Sequence, residues 1–96
     1  MSELSDFKPF FKELRFWSHH YAHPELSDDR AISEFMESEP RERVTSLRGE
    51  VMAIKNGNYD EKVLEEVIGK NRLARHGSWE HWATLMLLWM NKHREA

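Results

Sequence analysis

Three histidines offer the first chemistry to weigh. His19 and His23 stand four residues apart, with His20 between them and Glu25 just beyond. Imidazoles at i and i+4 share one face of a helix and can hold a zinc ion together. Pro24 interrupts the helix where the second ligand would have to stand. No further ligands follow at a recognisable spacing. Histidines near a helix C-terminus also complement the negative end of its dipole. No metal or other cofactor is therefore expected, although a small metal-dependent enzyme built on His19, His20 and His23 stays open. The chain has no cysteine, which removes a thiolate nucleophile, a disulfide framework and a cysteine-based zinc site. Gly-X-Ser-X-Gly and His-Glu-X-X-His are missing, and Gly69-Lys70-Asn71 lacks the upstream glycine and the following Ser/Thr of a phosphate loop. The pairs Glu61/Glu65 and Asp28/Asp29 have no apolar pocket around them that would tune one carboxyl as an acid. The chain is expected not to be an enzyme, and no catalytic residue is assigned.

The strongest compositional signal is acidic. From Glu25 to Glu39 run six carboxylates, Glu25, Asp28, Asp29, Glu34, Glu37 and Glu39, against the single base Arg30. That is a local charge of −5 in a chain whose total is −3. Asp28 and Asp29 offset the dipole at the start of a helix, and Glu34 and Glu37 fall opposite Ile32 and Phe35, on a solvated face. Those roles account for single residues but not for their sum, which suits docking of a positively charged partner. Phe16, on the outward side of the first helix, is either covered by the second helix or the chain's tail, or forms an aromatic hot spot. The basic run Lys70, Arg72, Arg75 and His76 reads as a solvated connection. With Arg41, Arg43 and Arg48 it could form a basic stripe, so a small helical nucleic-acid-binding or regulatory module is the alternative.

The elements that must position these groups are helical, since no stretch alternates apolar and polar residues for long. Asp6 is placed to cap a first helix, with Pro9 in its opening turn. Phe7, Phe10, Phe11, Leu14, Trp17 and Tyr21 would share its inner side. Ser27 caps a second helix with Ala31, Ile32, Phe35 and Met36 inward, and Ser38 and Pro40 mark its end and the next start. Val44, Leu47, Val51 and Ile54 define a third helix stopped at Asn56-Gly57. Asn58 and Glu61 read as a capping box for a fourth, whose core face is Val63, Leu64, Val67 and Ile68. Ser78 opens a fifth helix to about His93, so widely apolar that it should be central and surrounded by the others.

The fold expected is all-α, one compact, bundle-like domain of about five helices over residues 1–96. Ninety-six residues, 40% hydrophobic and with four Trp and five Phe, suffice for one core. The start MSELSDFKPF shows no apolar run behind a basic beginning, so no signal peptide is expected. Trp82 to Met90, interrupted by Thr84, falls short of the roughly 20 residues of a membrane span. A cytoplasmic location without membrane attachment is expected. The sequence pI of about 6.1 disfavours direct nucleic-acid binding.

The order of features resembles the immunity proteins of bacterial contact-dependent growth inhibition systems (CdiI type). The resemblance runs from about Phe7 to Lys92. Its elements are an aromatic first helix ending in YAHPE, the DD..AISEFM helix, ERVTSLRGEVMAI, YDEKVLEEVIG and the closing GSWEHWATLMLLWM, with anchors at Tyr21, His23, Glu25, Phe35, Gly77 and Trp82. It implies a cytoplasmic protein that does no chemistry itself and neutralises the C-terminal toxin domain, commonly a nuclease, of a cell-surface-delivered effector. An acidic patch imitating phosphate would then be the toxin-binding surface, formed by Glu25, Asp28, Asp29, Glu34, Glu37 and Glu39 with Phe16 and His23. Oligomeric state and the toxin's identity are left open by the sequence.

Overall fold

Local signals in the sequence set most helix ends. A computed structural model describes residues 11–22 and 26–95, apart from the side chains of Lys70, Asn71 and Glu95. Within them lie six helices and no strand: α1 (Lys12–His20), α2 (Asp28–Ser38), α3 (Arg41–Lys55), α4 (Glu61–Ile68), α5 (Lys70–His76) and α6 (Trp79–Glu95). Ser27 caps α2 by accepting from the Arg30 N–H at 3.2 Å, and Ser78 caps α6 by accepting from the His81 N–H at 3.1 Å. Gly57, at φ 81°, closes α3, with the Asn58 N–H donating to the Ala53 carbonyl at 2.8 Å and the Gly57 N–H to the Ile54 carbonyl at 3.0 Å. This left-handed closure is cheap only for glycine.

Three expectations are corrected. The cap of α4 is Asp60, whose carboxylate accepts from the Lys62 N–H at 2.9 Å, not Asn58. The basic connection is itself a helix, α5, bounded by Gly69 and Gly77 at φ 88° and 86°. And α6 is not surrounded. It packs on α3, α2 and α5, and its outer side leaves Leu88 57% exposed. Asp6, Phe7, Pro9 and Phe10, like His23, Pro24 and Glu25, lie outside the described residues.

A single core joins all the helices except α5, which adds the half-buried Leu73 at its edge. Leu14 and Trp17 enter it from α1, Ala31, Ile32 and Phe35 from α2, and Leu47, Val51 and Ile54 from α3. Leu64, Val67 and Ile68 come from α4, and Trp79, Trp82, Ala83, Met86, Leu87 and Met90 from α6. These are the faces the apolar spacing marks out, with Met36, Val44 and Val63 half-buried at its margin. No helix among the described residues is long and apolar enough to cross a membrane.

The start of α1 is held from another helix. Phe11 sits before it in a left-handed conformation (φ 57°, ψ 46°) and makes no side-chain cap bond. The carboxylate of Glu50 on α3 instead accepts from the Glu13 and Leu14 N–H groups, both at 2.9 Å. These are the donors a helix start leaves unsatisfied. Burial pushes the Glu50 carboxyl above its usual range despite both bonds. Replacing Glu50 with alanine removes the acceptor from two half-buried donors. It is expected to lower stability by about 1–2 kcal/mol in urea unfolding, with added amide exchange confined to the first turn of α1.

Candidate functional site

Helix periodicity divides the acidic segment into two sides. Asp28 lies one turn before Ile32 and two before Phe35, on the inner face of α2, and is itself buried. Its carboxylate accepts from Arg72 Nε at 2.9 Å, Arg72 Nη2 at 2.8 Å and the Trp82 indole N–H at 3.0 Å. Arg72 also donates from Nη1 to the Ile68 carbonyl at 2.6 Å, and its guanidinium lies 5.6 Å from the Trp17 ring centre. Trp17 and Trp79 stand 6.4 and 6.1 Å from Trp82, and their own buried indole N–H groups find no acceptor among the described residues. Desolvation would raise the Asp28 pKa. The hydrogen bonds from Arg72 and Trp82, with the Arg72 charge, outweigh it and hold the carboxyl below its usual range.

The expectation that Asp28 faces outward is therefore corrected: it is a buried bolt joining α2, α5 and α6. Arg72 likewise leaves the expected solvated run. The other early acid, Asp29, accepts from Lys92 Nζ at 2.8 Å and meets His93 Nε2 at 2.5 Å, tying the start of α2 to the end of α6. Partial desolvation acts against ionisation here too, and the bonds to Lys92 and His93 prevail, holding the Asp29 carboxyl below its usual range.

At the other end of α2, Glu39 accepts from the Tyr21 hydroxyl and pairs with Arg43 at 3.5 Å. Arg43 reaches Glu13 at 3.4 Å and covers Phe16, its guanidinium carbon 4.1 Å from the ring centre. Phe16 is half-buried, 6.4 Å from Phe35 and 6.2 Å from Tyr21. The second helix and an arginine thus cover much of it. Two carboxylates are left on the outer face of α2. Glu34 makes only a loose i,i+4 pair with Arg30 at 3.7 Å, between side chains 50% and 73% exposed. Exposed pairs of that kind contribute little. Glu37 is exposed and makes no ion pair among the described residues. Glu25 and His23 lie outside those residues; of the five candidate carboxylates described, Glu34 and Glu37 are placed outward.

Glu37 borders a groove of about 650 Å³ between α2, α3 and the end of α6. Met36 and Val44 form its apolar lining, and Arg41, Arg48 and Arg94 reach it from α3 and α6. The expected basic stripe is consequently split. Arg41 and Arg48 face this groove, while Arg43 and Arg72 are engaged inside the fold. His19 and His20 are exposed on α1, and among the described residues no three His, Cys, Asp or Glu side chains stand close enough to hold a metal. The groove was missed because its lining is scattered from Ser33 to Arg94 and has no local motif.

Replacing Asp28 with asparagine leaves Arg72 buried without its counter-charge, which is expected to cost about 3–5 kcal/mol in urea unfolding. The pH dependence has a definite sign. Asp28 and Asp29 have lowered folded pKa values, so their contribution is complete above the unfolded carboxylate value of about 4 and is lost as pH falls through the folded values. Glu50, with a raised folded value, acts in the opposite direction. The urea midpoint of the unmodified chain should fall as pH is lowered below about 4, and that of Asp28→Asn should fall less.

Compared with protein-family models, curated proteins and solved structures, the chain finds no match.

Proposed function

We propose that the chain is an immunity protein that binds and neutralises the C-terminal toxin domain of a contact-dependent growth inhibition effector. In this reading the toxin is a nuclease, the protein acts in the cytoplasm, and inhibition comes from docking, with no reaction performed by the chain. The observation that carries the reading is the division of labour on α2. Asp28, Asp29 and Glu39 hold the helix at both ends, while Glu34 and Glu37 point to solvent between those anchors. A braced helix loses little backbone freedom on binding, which favours affinity. A nuclease must present a basic cleft to its phosphates, and outward carboxylates complement such a cleft.

This reading expects a very large secreted protein encoded beside the chain, with a C-terminal domain that copurifies with it. Binding of that domain should weaken about tenfold or more in the double variant Glu34→Lys/Glu37→Lys, and protection of cells should fall with it. Both positions are exposed, so circular dichroism should be unchanged. Unchanged affinity and unchanged protection would retire this face as the docking surface.

A further inference from the structure

The groove beside Glu37 has the opposite electrostatic character from the chain as a whole. The protein carries a net charge of −3, yet Arg41, Arg48 and Arg94 meet on one hollow. Arg41 and Arg94 are exposed, and neither makes an ion pair among the described residues. Arg48 donates to Asn91 Oδ1 at 2.6 Å, a neutral partner that fixes its guanidinium without cancelling its charge. The other ionic groups on the lining are mostly engaged elsewhere. Glu39 is held by Tyr21 and Arg43, and His93 by Asp29. Glu37 is then the one free carboxylate facing three guanidinium groups among the described lining residues. Between them Met36 and Val44, both half-buried, offer an apolar surface.

We propose that this groove binds a short acidic, partly apolar peptide segment of a partner protein. Guanidinium forks pair with carboxylates in bidentate geometry, and the Met36–Val44 surface takes an aliphatic side chain between the carboxylates. A volume of about 650 Å³ is that of a pocket for a few residues. A nucleic acid fits less well. Its phosphates gain nothing from the apolar lining of Met36 and Val44. The proposal stands on the groove alone and does not depend on the toxin reading.

The test uses the full chain and a fluorescein-labelled peptide rich in glutamate and leucine, followed by anisotropy at low and physiological salt. A lysine–leucine peptide of the same length and a single-stranded oligonucleotide serve as the other probes. The variant is Arg41→Glu with Arg94→Gln. Arg41 occupies the first turn of α3, where an acid is favoured by the helix dipole, so the fold should be retained. The expected result is saturable binding of the acidic peptide alone, weakened about tenfold in the variant. Backbone amide shifts on titration should centre on Met36, Val44 and Thr45. Failure of the acidic peptide to bind, or binding untouched by the variant, overturns the proposal. Arginine-dependent binding of the oligonucleotide in place of the peptide overturns it in favour of a nucleic-acid site.

Discussion

A buried carboxylate needs donors supplied by the protein, and Asp28 imposes that demand on three helices together. Two Arg72 nitrogens and the Trp82 indole converge on it, so α2, α5 and α6 must arrive in one relative placement. An ion pair of this kind contributes little net stability compared with an apolar substitute, because desolvation offsets most of the attraction. Its effect lies in selectivity. Any arrangement that packs the apolar faces but misplaces Arg72 strands a buried charge. Trp17 and Trp79, whose indole N–H groups find no acceptor among the described residues, pack against Trp82 in the same cluster.

The same demand governs the surface. A segment with a net charge of −5 looks like an exposed acidic face, but its carboxylates serve first as fasteners. Asp29 closes on Lys92 and His93, and Glu39 closes on Tyr21 and Arg43. Among the described residues, what remains outward is a pair of glutamates, one of them on the lining of a groove that also holds three arginines. The exposed charge is modest and mixed in sign, and it stands on a helix braced at both ends.

Much of the architecture was legible because it is written locally. Ser27, Ser78 and Gly57 do what capping chemistry requires of them, and the three- and four-residue spacing of Leu47, Val51 and Ile54 marks the buried side of α3. What was not legible is held by distant residues. The segment KNRLARH has little apolar periodicity, and its helix depends on Arg72 finding Asp28, forty-four positions away. Glu50 completes the first turn of α1 from thirty-six and thirty-seven positions away, which no local cap rule can reveal. The inward placement of Asp28 did have a signal, since it shares the register of Ile32 and Phe35. Residue type argued for solvent, and register argued for the core. Register prevailed because an arginine was available to go in with it.

The acids that open α2 find their partners 44, 54, 63 and 64 positions later in the chain. Asp28 and Asp29 are therefore made before the residues that receive them, and α2 is not fixed in position until α5 and α6 pack against it. The burial of Asp28 is complete only when Arg72 of α5 and Trp82 of α6 close on it.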